Sequence, residues 1–133
     1  KTCLKKFVGW AESVNQTSSF WGRPILVGYN IKLFDIPFLN YWLEEYGILK
    51  VKDYRLQVPW SIQALDMYDM TFMLFESDLD MENFKLDSAL GKLNLARASD
   101  KHDAQEDVQL SVELFQRYMR FLRKMRQKAR VTS

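Results

Sequence analysis

The stretch His102-Asp103-Ala104-Gln105-Glu106-Asp107 contains the chain's only histidine and, five positions on, an aspartate. At the head of a helix this spacing sets the two side chains on neighbouring turns, where one can act as a base while the other holds a cation. A second stretch, Val27-Gly28-Tyr29-Asn30-Ile31-Lys32-Leu33-Phe34-Asp35, carries another carboxylate just beyond a short apolar run. If that run is a strand, Asp35 stands past its carboxyl end, where open α/β sheets place their ligand sites. Plainer explanations exist for each residue. Asp35 also suits a helix N-terminus, where the helix dipole favours an acid. His102 could be a surface or capping histidine, and Asp107 a solvated helix acid. Asp107 is the least ordinary of the three, because the apolar positions around it put it on the buried-side stripe. A carboxylate there is costly unless it meets a cation or hydrogen-bond donors.

The elements that would position these residues follow from periodicity. Leu4, Phe7, Val8, Ala11 and Val14 recur at steps of three and four, one face of an amphipathic helix. Asn15 to Arg23 reads as a polar loop with Phe20 and Trp21 tucked beneath something. Ile25-Leu26-Val27 is a continuous apolar run, as expected for a strand buried on both faces of a parallel sheet. Gly28 then lets the backbone turn or another group approach closely. Phe34 to Tyr46 reads as helix, with Pro37 in the first turn and Gly47 as the stop. Residues 49 to 60 are ambiguous, and Pro59 argues against a central strand there. Ala64 to Asp69 offers a second strand, followed by a short helix around Thr71 to Phe75. Ser77 to Asn83 is an acidic loop, and Leu86 to Leu93 has helical spacing that ends near Asn94. After a loop at Ala98 to Lys101, the residues Ala104, Asp107, Val108, Val112, Phe115, Met119 and Leu122 trace one face of a last helix that reaches about Lys128. Strands alternating with helices imply an α/β layout with parallel pairing. Two clear strands make a poor sheet, so further strands are expected.

Composition sets the frame. A chain of 133 residues fits one domain, 1–133, and 47% hydrophobic residues suffice for a sizeable core. A net charge of +2 says little by itself, but the seven Lys and Arg from Arg117 to Arg130 stand without a single acid between them. This basic helical tail, about 117–133, is either a solvated face or a surface for nucleic-acid phosphates. Cys3 is alone, which excludes an internal disulfide framework and a Cys-rich zinc site; a reducing intracellular compartment, cytoplasm or nucleus, is the default. No apolar run approaches the ~20 residues of a membrane span, so no membrane partner is expected. No signal-peptide pattern opens the chain. It begins at Lys1 rather than Met and enters a helical pattern at once, as a piece of a longer polypeptide would.

In this order and on these elements, the two stretches resemble something specific. Gly28-Tyr29-Asn30-Ile31-Lys32-Leu33-Phe34-Asp35-Ile36-Pro37-Phe38-Leu39 is similar to the second motif of the DEDD 3′–5′ exonuclease superfamily, in the form seen in proofreading domains of family B DNA polymerases. His102 to Asp107 resembles the third motif of the DEDDh branch; the tyrosine branch would have a Tyr where Asp103 stands. Tyr68-Asp69-Met70 and Lys85 to Leu90 look like the strand and helix between those motifs, and the resemblance spans roughly residues 4 to 120. It implies an RNase H-like fold and a mechanism in which two Mg²⁺ or Mn²⁺ ions, ~4 Å apart, activate a water and stabilise the leaving 3′ oxygen. By matching position Asp35 and Asp107 would hold metal, and His102 would be the general base, a role that suits a neutral imidazole. Asn30 matches a position near the substrate strand. Phe34, with Tyr29, Tyr68 and Phe84, is by type a core residue, although one or two of these aromatics could stack on a terminal base.

The family's first motif, an Asp-x-Glu on the first strand, supplies two further acids. Nothing before Asp35 fits it, since Glu12 has no acid two residues away. Asp80-Met81-Glu82 has the letters but falls between the second and third motifs. The chain is therefore expected to be the C-terminal part of an RNase H-like exonuclease domain, with its first strands and first motif missing. The expected function is metal-dependent 3′–5′ hydrolysis at a single-stranded or frayed DNA or RNA end, weak or lost in the isolated chain. The alternatives are a non-catalytic RNase H-like domain that binds nucleic acid or protein, and a fragment that pairs its open sheet edge with another chain.

Overall fold

Alternation of helix and strand carries through to the structure, a computed structural model that describes residues 1–15, 22–95 and 103–129. The elements are α1 (Thr2–Ser13), β1 (Leu26–Gly28), α2 (Asp35–Glu45), β2 (Val51–Lys52), β3 (Arg55–Leu56), β4 (Ala64–Asp66), α3 (Met67–Phe75), α4 (Leu86–Lys92) and α5 (Ala104–Lys128). The fold is mixed α/β with small sheets. The chain divides into two compact units, Lys1–Asp66 and Met67–Ser133.

In the first unit, α1 buries Val8 and Ala11 against Leu43 of α2 and against Trp60, with Leu4, Phe7, Leu26, Leu39 and Ile48 packed around them. The rings of Phe7 and Trp60 meet at 5.5 Å. Burial of this kind contributes about 25 cal/mol per Å² of apolar surface, which is what holds short elements together. The expected stripe of α1 holds except at Val14, which caps the helix and is exposed. Helix α2 starts at Asp35 and ends in a Schellman motif. Gly47 takes φ +59, its N–H donates to the Glu44 carbonyl at 2.8 Å, and the Ile48 N–H donates to the Leu43 carbonyl at 2.9 Å.

Strands β1 and β4 pair in parallel, Leu26 opposite Ala64, Val27 opposite Leu65 and Gly28 opposite Asp66. The expectation of a strand buried on both faces is corrected: Val27 and Leu65 are each 39% exposed. The second strand is also shorter than its apolar run. Its partner ends at Gly28, so the ladder stops at Asp66 and the chain turns into α3 at Met67, where Met, Tyr and Leu serve a helix as well as a strand. The ambiguous residues 49–60 contain a hairpin, β2 against β3, closed by Asp53-Tyr54 with φ +51 and +59. Two left-handed residues make the type I′ turn that matches strand twist. Pro59 lies beyond both strands.

In the second unit, Met67, Thr71, Ala89, Leu90, Leu114 and Tyr118 form the buried side chains of α3, α4 and α5. Helix α4 repeats the Schellman ending: Asn94 takes φ +54, and the Leu95 N–H donates to the Leu90 carbonyl at 2.9 Å. Arg117 ties α5 to that ending, its Nη1 donating to the Leu93 carbonyl at 2.6 Å. Phe84 is wedged between Tyr68 and Phe72 in edge-on contacts of 6.4 and 5.1 Å. The inward face of α5 differs from the expected one. Leu114 and Tyr118 are buried, whereas Val108 is 63% exposed and Val112 and Leu122 also face outward. Apolar residues surround α5 widely enough that their spacing alone does not select the contact line. The described part of the basic tail, to residue 129, is a helical continuation that ends with Ala129 as its cap.

Candidate functional site

The loop between β1 and α2 is built around Gly28. A Cβ there would collide with Ile31 Cγ2, because the buried Ile31 side chain folds back over the end of the strand. Asn30 turns the chain with φ +58, a left-handed value that asparagine tolerates better than most residues. The Ile31 carbonyl accepts the Ile36 N–H at 2.9 Å, joining the loop to the first turn of α2. Leu33, Phe34 and Asp35 emerge from it exposed.

Beneath the loop sits Asp66, the last residue of β4, only 4% exposed. One carboxylate oxygen accepts the Asn30 N–H at 2.6 Å and the other accepts the Lys32 N–H at 3.1 Å. Donors on both oxygens are what make a buried carboxylate tolerable. Residue type and spacing alone assign Asp66 no role. The signal was there, an acid at the end of an apolar run, where it would be costly without donors.

Asn30, Phe34 and Asp35 are therefore brought together on one loop, with Asp66 fastening it. Asp107 belongs to the other unit. It stands half-buried in the first turn of α5, on the line of Ser111, Leu114 and Tyr118, so its place on the inward stripe holds although the stripe itself is shifted. That helix is capped by Asp103, whose Oδ1 accepts the Gln105 N–H at 2.9 Å and whose carbonyl accepts the Asp107 N–H at 2.9 Å. The proposed base His102, the loop at 98–101, Phe20 and Trp21 lie outside the described residues.

No family model matches the chain, and neither does any curated protein or solved structure.

The donor chemistry of Asp35 and Asp107 fits a hard divalent ion, for which carboxylate oxygens are the usual ligands. Among the described residues no group of three or more His, Cys, Asp or Glu side chains gathers as a metal cage. Along α5 runs a shallow groove of about 320 Å³ lined by Phe115, Gln116, Met119, Arg120 and Arg123, an apolar floor edged by two cations. No helix among the described residues is long and apolar enough to cross a membrane.

Proposed function

We propose that this chain carries two metal-binding acids and the general base of a DEDDh-type 3′–5′ exonuclease with an RNase H-like fold. The observation that most supports the reading is the β1–α2 loop. A parallel strand ends, Gly28 and Asn30 turn the chain, Asp66 fastens it, and Asp35 stands exposed on the first helical turn. Asp35 and Asp107 would hold Mg²⁺ or Mn²⁺, and His102 would take the proton from the attacking water at an imidazole nitrogen. The ions would activate that water and stabilise the departing 3′ oxygen. Phe34 is 65% exposed beside Asp35 and in this reading would stack on a terminal base, with Asn30 near the substrate strand. The two remaining acids would come from an Asp-x-Glu pair that these 133 residues do not hold at a matching position. The chain by itself is accordingly expected to cut weakly or not at all.

Digestion of a 5′-labelled single-stranded oligonucleotide tests the reading. A protein that includes this chain and the Asp-x-Glu pair should shorten the 3′ end only with Mg²⁺ or Mn²⁺. Asp35→Ala and Asp107→Ala should each abolish digestion with the fold intact; full digestion by either variant would sink the assignment.

A second reading, a binding domain of the same fold that does not cut, draws on the exposed Phe34 and the Arg120–Arg123 groove and needs no further acids. It predicts that Asp35→Ala leaves oligonucleotide binding unchanged in a fluorescence anisotropy titration, with no digestion by any form of the protein.

A further inference from the structure

We propose that Asp66 is a positioning residue for cation binding at Asp35. Its buried carboxylate holds the Asn30–Phe34 loop in the one shape that presents Asp35 at the start of α2. The inference rests on the reading of Asp35 as a metal acid and names the residue that keeps that acid in place.

Three features carry it. First, the Gly28–Asp66 register puts the carboxylate beside the point where β1 stops and the loop begins. Second, its two oxygens engage two amides of the same loop, Asn30 and Lys32, on either side of Ile31. Backbone N–H groups converging in a turn with a left-handed residue form an anion-binding concavity. Here the protein supplies the anion itself. Third, the far end of the loop is coupled to the helix, since the Ile31 carbonyl receives the Ile36 N–H one residue past Asp35. A change in how Asp66 grips the loop is thus transmitted through Ile31 to the turn that carries Asp35. Residues that orient metal ligands in this way commonly change metal affinity by about 10–100-fold when substituted.

Asp66→Asn discriminates well, because it keeps the side-chain volume and one acceptor but presents an NH₂ group to the second loop amide. The test uses a protein that includes this chain and the Asp-x-Glu pair, with Mn²⁺ alone as the probe and NMR as the readout. Paramagnetic broadening should centre on Phe34 to Ile36 in the parent and vanish in Asp35→Asn. In Asp66→Asn the Mn²⁺ midpoint should rise about tenfold, and the Lys32 amide should exchange with solvent faster. Val8→Ala, a core substitution away from the loop, should lower the melting temperature without moving the Mn²⁺ midpoint. That separates positioning from a general loss of stability. An unchanged midpoint in Asp66→Asn, alongside loss of broadening in Asp35→Asn, overturns this inference and leaves the metal reading standing. Absence of broadening at Phe34 to Ile36 in the parent overturns the metal reading, and this inference with it.

Discussion

The hydroxyl groups of Thr71 and Tyr118 lie 2.7 Å apart, both buried, and the Thr71 hydroxyl also donates to the Met67 carbonyl at 2.7 Å. This arrangement fixes which hydroxyl can be removed at lower cost. With its proton on the Met67 carbonyl, Thr71 is satisfied without Tyr118, whereas Tyr118 uses Thr71 as its acceptor. Tyr118→Phe should therefore destabilise the chain by about 1 kcal/mol, and Thr71→Val, which strands a buried phenol, by about 1–3 kcal/mol. Urea unfolding of the two variants gives the order directly, and the opposite order would mean that the proton runs the other way.

The same pair sets a pH dependence. Burial raises the Tyr118 pKa above its ordinary 10.0. The native chain thus holds the phenolic proton at a pH where the unfolded chain has begun to lose it. The stability contributed is fully present below pH 10 and declines as pH rises from there through the native value. The stability difference between the parent and Tyr118→Phe, measured by urea unfolding from pH 8 to 11, should stay flat and then shrink above pH 10. A difference that grows in that range contradicts the assignment.

The hairpin turn offers a stabilising change. Tyr54 takes φ +59 and is 102% exposed, so its ring gains no packing in exchange for a left-handed backbone. Tyr54→Gly should add about 0.5–1 kcal/mol, read as a higher urea midpoint at unchanged slope. A loss of stability would indicate that the ring contributes through contacts beyond the turn geometry.

Much of this architecture is legible in the residues, and the exceptions have physical causes. Gly47 and Asn94 were both expected as helix stops, and both occupy the left-handed position of a Schellman motif, because few other residues tolerate that backbone. Leu4, Phe7, Val8 and Ala11 face inward as their spacing requires. The hairpin was ambiguous because Asp53-Tyr54 lacks the Asn-Gly or Asp-Gly that usually announces a type I′ turn. The inward line of α5 is not legible in the spacing because apolar residues lie around much of that helix, and the buried line runs through Leu114 and Tyr118, whose hydroxyl meets Thr71. Asp66 is not legible as a loop anchor because its partners are backbone amides of Asn30 and Lys32, and a backbone N–H has no letter in a sequence. At the candidate site, the order Gly28, Asn30, Asp35 was read from the sequence; the loop shape that gives the order meaning came from the fold.

Gly28 provides a check on that loop shape independent of any metal. A methyl group there would meet Ile31 Cγ2, an atom close to the backbone with little freedom to move aside. Gly28→Ala should therefore displace Ile31, costing about 1–3 kcal/mol as overpacking does, and should loosen the amides of Asn30 and Lys32 even though Asp66 is intact. Amide exchange at those two positions, together with the urea midpoint, measures both effects. Gly28→Ala with Ile31→Val removes only the δ-methyl and leaves Cγ2 in place, so it should restore little, whereas Gly28→Ala with Ile31→Ala removes the colliding atom. The second pair should recover slow exchange at Asn30 and Lys32 even if some stability is lost with the smaller core residue. Exchange that stays fast in that pair would show that the loop depends on the Ile31 side chain for more than clearance over Gly28.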